Sequence, residues 1–420
     1  MESSNSIINH FELLDDIIML KIFSYLPIKT LNKLSQVCSK WSYLINETKL
    51  TRKPSVYFTL LNSNKWIYNQ TARNFRMSKE DFVQEFTQDL TKLNTQPEIF
   101  IYFLTHHFND ECIIESINQT ETNVKRLRRS FRVKDDEKLS HITQVIGSLL
   151  PRDSIKLFFF PSNIIGTNFS QTSTLDYDID AISGILLPKS TSNYRIDIKK
   201  VQAKEKLNNF SSVNDLYEYL GVDSNSETLK YMLIIVGSPK RTDLKGFLKF
   251  LNKIRLENSD SKNFCISGGF IFDDSNVVTL INIISKNNSN KDSVQISQII
   301  VPDLDRSEFD NYFDNKLKLL QKNAILSGIF KQKNNSSCNS FVLKINCIGR
   351  GTEYHGMKDH ELDIFKKYFN KNSPNVRDLP LIGFYGEGEI GHEYLPYLNL
   401  VSDSVDLYSY SSIFTLIHLS

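Results

Sequence analysis

From residue 98 onward the chain is dominated by strand-length apolar runs with too few helices between them to cover a parallel sheet. The runs are EIFIYFL, SIKLFFF, AISGILL, YRIDIKK, YMLIIVG, NFCISGGFIF, VVTLINII, AILSGIF and FVLKINCIG, against helical spacing only near 242–256, 305–322 and 359–369. A doubly wound fold needs a crossover helix between parallel strands, so this count predicts an α+β arrangement instead. Several runs alternate apolar with polar residues, which predicts a sheet with one wet face. The Asn-rich stretches KNNSNK and KQKNNSSCNS carry little apolar surface and are expected in exposed loops.

At 420 residues the chain exceeds one typical core, and two or three structural units are expected. Fifty basic and 48 acidic side chains leave a formal charge of +2, too even for a broad nucleic-acid or anionic-membrane footprint. The densest basic stretch, Lys125 to Arg129, reads as a solvated face or as an import or contact patch. Cys38, Cys112, Cys265, Cys338 and Cys347 are scattered, with no C-x-x-C pair, so neither a disulfide framework nor a zinc site is expected. No apolar run approaches a membrane span, and no leader pattern opens the sequence. The expectation is a soluble protein of the cytoplasm, with the nucleus also open to it.

Residues 10–54 differ from the rest. Leu14, Ile18 and Ile22 recur four apart, and Met19 and Phe23 widen that stripe. Tyr25-Leu26-Pro27 should stop the first helix, because proline cannot donate to the preceding turn. Thr30 is the expected N-cap of a second helix carrying Leu34, Val37, Trp41 and Leu44 on one side. So short a segment buries too little to be very stable alone, so part of its apolar surface should face a partner or the remaining chain. Residues 55–97 read as a connector: a strand-like VYFTLL, then a helix with Ser78 and Asp81 as a capping box and Phe82, Phe86 and Leu90 at helical spacing.

The C-terminal stretch LIGFYGEGEIGHEYLP contains G-x-G-x-x-G at Gly386, Gly388 and Gly391. A dinucleotide site would also need a helix starting at that loop, but Pro396 stands where the helix should run. Glu387 and Glu389 would repel a pyrophosphate, and too little sequence follows to complete a βαβ half. Upstream, FVLKINCIGRG ends a strand at Gly349-Arg350-Gly351, and a helix is expected to open at Asp359 with Leu362, Phe365 and Phe369 buried. Glu361 and Glu389 are candidates to pair with Arg350, as a structural salt bridge or as one wall of a ligand- or peptide-binding pocket. Cys347 reads as a small buried hydrophobe, or as a thiolate favoured by Arg350. His355, Asp359, His360 and Glu361 crowd together without H-E-x-x-H spacing, and helix capping accounts for them better than a metal. There is no G-x-S-x-G and no P-loop.

Two resemblances follow from these motifs. Leu14, Ile22-Phe23, Tyr25-Leu26-Pro27, Leu31, Leu34, Val37-Cys38, Trp41 and Leu44 resemble an F-box, with Asp15 where Pro is common and Thr51 where Trp often follows. C-I-G-R-G, the helix with Glu361, and P-L-I-G-F-Y-G-E-G-E-I-G resemble the C-terminal half of a FIST domain; SGGF at 267–270 and AISGILLP at 181–188 are similar, more weakly, to its N-terminal half. The implied organisation is an F-box over 10–54, a connector over 55–97 and two FIST halves over 98–301 and 302–420. The implied function is that of a non-catalytic substrate receptor of a ubiquitin ligase, binding a Skp adaptor and through it cullin and RING subunits, with the body holding an unknown target protein. The alternative is a body that senses a small ligand and makes degradation depend on it. The implied docking residues are Leu14, Ile18, Ile22, Phe23, Leu26, Pro27, Leu31, Leu34, Val37 and Trp41. The candidate pocket comprises Cys347, Gly349, Arg350, Gly351, Glu361, Gly386, Gly388 and Glu389. No cofactor, metal, nucleic acid or membrane partner is expected.

Overall fold

The structure, a computed structural model, describes residues 15–51, 56–62, 67–69, 74–76, 84, 86–88, 90, 93, 95–105, 143–167, 172–175, 181–202, 210, 212–237, 245–257, 264–271, 277–286, 293–329, 340–357, 359–369 and 379–420. Leu14, the Ser78/Asp81 pair, the basic stretch at 125–129, Cys112 and Cys338 lie outside them. The fold is α+β: an N-terminal helical segment, then a body of mixed helices and strands. By internal contact the chain divides into Met1–Ser55 with Val83–Gln96, and Val56–Phe82 with Pro97–Ser420.

In the first unit α1 spans Asp16–Ser24, α2 Ile28–Leu34 and α3 Ser39–Thr51. Asp15 caps α1, its carboxylate accepting from the Ile17 amide at 2.8 Å. Pro27 ends the connection and is the N-cap residue of α2, so Thr30 lies inside that helix rather than at its start. The sequence merged α2 and α3 because one apolar stripe runs through both. Met19, Phe23, Leu31, Leu44 and Ile45 form the core, each contributing about 1.5–3 kcal/mol by burial. Phe23 meets Trp41 edge-on, with ring centroids 5.5 Å apart. The Lys40–Asp16 ion pair at 2.8 Å joins α3 to α1.

The second unit carries β1 (Tyr57–Asn62), β2 (Ile67–Asn69), β3 (Asn74–Arg76), β4 (Ile99–Leu104), β5 (Ile155–Phe159), β6 (Asn163–Thr167), β7 (Thr172–Leu175) and β8 (Ala181–Leu187). There follow β9 (Tyr194–Gln202), α4 (Val213–Leu220), β10 (Glu227–Gly237), α5 (Lys245–Glu257), β11 (Cys265–Phe270), β12 (Val277–Lys286) and β13 (Val294–Val301). Last come α6 (Arg306–Leu326), β14 (Ser340–Cys347), α7 (Thr352–His355), α8 (His360–Phe369), β15 (Leu381–Gly386), β16 (Glu389–Gly391), β17 (Tyr394–Leu395), β18 (Leu400–Val401), β19 (Asp406–Tyr408) and β20 (Ser412–Leu419).

The strands form sheets ordered β1-β8-β4-β5, β19-β16-β11-β10-β12-β9 and β18-β17-β13-β20-β14-β15-β6-β7, beside the β2-β3 hairpin. The period of two assigns the faces. Tyr231, Leu233 and Ile235 of β10 and Leu343, Ile345, Ile382 and Phe384 of β14 and β15 share one core between the sheets. Met232, Ile234 and Val236 face Leu216, Phe247 and Leu251 of α4 and α5. Val342, Leu381 and Phe414 face Phe313, Leu317 and Phe365 of α6 and α8. On β14, helices therefore cover the face that the alternating pattern marked as wet, and Lys344 and Asn346 there are buried.

The body differs from the sequence reading in two respects. AILSGIF is not a strand: Ala324 to Leu326 complete α6, and Gly328 turns the chain with φ 84. Strands β2, β3, β6, β7, β13 and β17 to β20 and helices α4 and α7 were not foreseen. Strands from the two sides of residues 301/302 pair with each other: β16 joins β11, and β13 joins β20.

Gly383 shows how tightly β14 and β15 approach: a Cβ there would sit 1.7 Å from the Lys344 carbonyl oxygen. Gly383→Ala must push backbone apart and is expected to cost about 3 kcal/mol, read as a lower urea midpoint at unchanged slope.

Candidate functional site

In the second unit the chain leaves β14 through a 3₁₀ turn at Ile348–Arg350, which turns Arg350 inward. Its side chain is fully buried. Nε donates to Glu361 Oε1 at 3.1 Å, and Nη1 is shared among the carbonyls of Val301 (2.9 Å), Pro302 (2.8 Å) and Tyr410 (2.9 Å). The guanidinium lies over Phe309 at 4.8 Å and Tyr354 at 5.0 Å. Glu361, from the first turn of α8, also meets Lys344 Nζ at 2.7 Å and His355 Nε2 at 3.1 Å, and accepts from Ser412 Oγ at 2.9 and 2.8 Å. Burial by itself would raise the Glu361 carboxyl, but Lys344, Arg350 and His355 outweigh it and hold it well below its ordinary value. Burial lowers the Lys344 ammonium, with Glu361 opposing.

The sequence therefore paired Arg350 correctly with Glu361 and wrongly with Glu389. Glu389 is buried on β16 and accepts from the Ser411 amide at 3.2 Å and hydroxyl at 2.7 Å. Burial pushes its carboxyl up to about 7, against the Ser411 bonds and the Arg350 charge. Cys347 is beside it, and burial followed by the Glu389 charge raises the thiol, so Arg350 does not make it a thiolate. Asp359 opens α8 through its carbonyl, which accepts from the Asp363 amide at 2.9 Å, with its own φ at 57. His360 Nε2 bonds Asp310 at 2.6 Å, so the two histidines near α8 serve different carboxylates. Among the described residues no group of three or more His, Cys, Asp and Glu is placed to hold a metal.

Sequence reading missed Lys344, Ser411 and Ser412. The polar positions Lys344 and Asn346 in FVLKINCIG were the available signal, read as a wet face. Gly386 and Gly388 belong to no phosphate cradle. A Cβ on Gly386 would be 2.5 Å from the Phe270 carbonyl oxygen, the Gly388 carbonyl accepts from the Phe270 amide at 3.1 Å, and the segment carries the chain from β15 across to β16 in the other sheet. Gly349 lies beneath the Tyr410 ring, while Gly351 follows Arg350 in extended conformation.

The first unit presents a different kind of surface. Met19 and Phe23 occupy one row of α1 and point inward; the adjacent row, Ile18, Ile22 and Tyr25, is exposed by 49%, 43% and 72%, beside Ile17 at 74%. Val37, at 59%, adds to the exposed apolar surface of the unit, as does Tyr43. Leu26, Pro27, Leu34 and Trp41 are half-buried, and Leu31 is core. Of the expected docking residues, then, Ile18, Ile22 and Val37 are free, while Phe23 and Leu31 are structural supports. Ile17, Tyr25 and Tyr43 join the exposed group. Isolated exposed apolar residues are ordinary, but this many on a short helical unit are not.

Residues 16–56 match the F-box-like family. The F-box-like match thus includes helices α1, α2 and α3. No curated protein matches the sequence. Among solved structures, a cyanuric acid hydrolase from A. caulinodans aligns over 87% of this chain and 99% of its own, at 8% identity and TM-score 0.34. A cyanuric acid hydrolase described as an evolutionary innovation by structural concatenation aligns over 87% and 100%, at 7% identity and TM-score 0.32. Likeness at that level carries no argument about this chain. No helix among the described residues is long and apolar enough to cross a membrane.

Proposed function

We propose that this protein is a substrate receptor of a Skp–cullin–F-box ubiquitin ligase and is not itself catalytic. The observation that carries the reading is the exposed apolar row Ile17, Ile18, Ile22 and Tyr25 within the F-box-like domain. Such a row suits helix-in-groove docking, in which aliphatic and aromatic anchors fill pockets on an adaptor. The second unit resembles a FIST-type body in its C-I-G-R-G and G-E-G-E-I-G motifs, and the order of the two parts resembles F-box only protein 22, including the closing YSYSSIFTLIHLS. Its role is to hold a target protein near a ubiquitin-charged conjugating enzyme, so that proximity raises the effective concentration of a target lysine. Work in the cytoplasm or nucleus fits that role.

The test is affinity capture of the full chain with and without proteasome inhibition, beside the Ile18→Glu/Ile22→Glu variant. The wild type should bring down the Skp adaptor, cullin and RING subunits. Targets should be held by both proteins and accumulate in cells only with the variant or the inhibitor. Capture of no cullin by the wild type would overturn the reading.

A further inference from the structure

The charged cluster beside Arg350 opens into a small cleft, lined among others by Lys344, Arg350, His355, Met357, Asp359 and His360. Hydrogen-bond accounting there is unbalanced. Arg350 Nη2, with two N–H groups, is buried without a partner. Lys344 Nζ has three N–H groups, is 1% exposed, and meets Glu361 and the face of Phe414. Asn346 stands behind that lining rather than in it, two residues from Lys344 on the same strand face and paired in register with Tyr385, which lines the cleft, and with Ser412. It is fully buried, and neither its Nδ2 nor its Oδ1 has a partner. Buried polar groups are nearly always paired, because leaving one unpaired costs about 1–3 kcal/mol. The unused groups here are the N–H groups of Arg350 and Asn346 beside one acceptor, Asn346 Oδ1, and Lys344 adds further N–H capacity.

Glu361 does not absorb this excess, since Lys344, Arg350, His355 and Ser412 already occupy its oxygens. At contact distance Lys344 and Arg350 flank one carboxylate. Asp359 also lines the cleft, but acts on Lys344 more weakly than Glu361 or Arg350 does. The mouth is partly apolar, with Met357 half exposed.

We infer that this cleft takes a carboxylate, from a small molecule or from the C-terminus of a polypeptide. A planar carboxylate is acceptor-only, and its two oxygens can be shared among the free edge of a guanidinium, an ammonium and an amide N–H. Guest entry displaces the outer lining, Met357 and His360, while Glu361 keeps Arg350 and Lys344 in place. Selection of a target for ubiquitination by such a carboxylate rests on the function proposed above; carboxylate binding does not.

The experiment is a thermal-shift and calorimetric titration of the full chain with acetate, succinate, a library of short peptides with free C-termini, and the same library amidated, all at matched chloride ionic strength. A saturable rise of about 2 °C is expected with carboxylate probes and none with the amidated library. Asn346→Leu should keep or raise the melting temperature of the unliganded protein, because its amide has no partner to lose, and should weaken carboxylate binding about tenfold. Lys344→Met should weaken it further. A response confined to acetate and succinate assigns a small-molecule guest; one confined to free-carboxyl peptides assigns a chain terminus. Equal response to amidated peptides, no response to any carboxylate, or binding unchanged in both variants would overturn the inference. None of these outcomes depends on adaptor capture, so failure here and failure of the ligase reading are separate results.

Discussion

Ile18→Glu/Ile22→Glu is expected to abolish adaptor capture while the protein still melts as the wild type does. Both side chains are exposed, at 49% and 43%, so the substitutions open no cavity and bury no charge in the free chain. In the docked state each carboxylate would enter an apolar pocket. A central anchor is worth about 2 kcal/mol or more, so the pair should cost about 4 kcal/mol, near a thousandfold in affinity. Phe23→Ala makes the contrast. Phe23 is 1% exposed and packed on Trp41, so its removal should cost about 3–5 kcal/mol of the first unit's stability. Lost capture there would report unfolding, whereas lost capture in the double glutamate variant reports docking. Calorimetry with purified adaptor, alongside circular dichroism melts, reads both. Unchanged affinity in the double variant would show that α1 is not the docking surface.

The helices of the first unit were legible because Pro27 punctuates them and their aliphatic residues keep helical spacing. Which aliphatic row faces outward was not legible. Ile18 and Met19 are equally apolar, and only the placement of α3, with Trp41 against Phe23, decides that the Met19 row is covered. In the second unit the longer runs were recognised as strands, but the alternation in FVLKINCIG misled. Lys344 and Asn346 looked solvated, and α8 closes over them because Leu362 and Phe365 pack on Val342 and Phe414. Arg350–Glu361 could be foreseen from a glycine-flanked arginine followed by a helix start. Glu389 could not be placed, since its partner Ser411 comes from the β19–β20 connection, 22 residues further on. The glycines of the G-x-G-x-x-G stretch serve sheet-to-sheet crossing, a role identical in sequence to a phosphate loop until Pro396 and the acidic residues are weighed.

Glu361→Ala should be among the most damaging single changes in the second unit. It leaves Lys344 and Arg350 buried with their charges uncompensated, a situation that costs about 3–5 kcal/mol. Adding Lys344→Met should recover part of the loss, because it removes one of the stranded charges; additive damage in the double variant would show that the pair is not coupled. The native cluster also predicts the pH profile. Glu361 is held well below its ordinary 4.5, so its contribution is complete above that value and drains away as the pH falls through the lower, folded one. Glu389 works in the opposite direction. Its carboxyl is raised to about 7, so the folded state keeps a proton that the unfolded chain releases near 4.5, and stability declines as the pH climbs between those values. Burial lowers the His418 imidazole from 6.5 to about 4, which opposes the Glu389 decline below about 6.5, so the net fall lies on the neutral side of that value. Glu389→Gln, which can still accept from the Ser411 amide, should erase the neutral-side decline and raise stability at pH 8 by about 3 kcal/mol. Urea titrations from pH 4 to 8 on the wild type and both variants would show it, and a wild-type profile still rising between pH 5 and 8 would rule out the raised Glu389 carboxyl as the governing group.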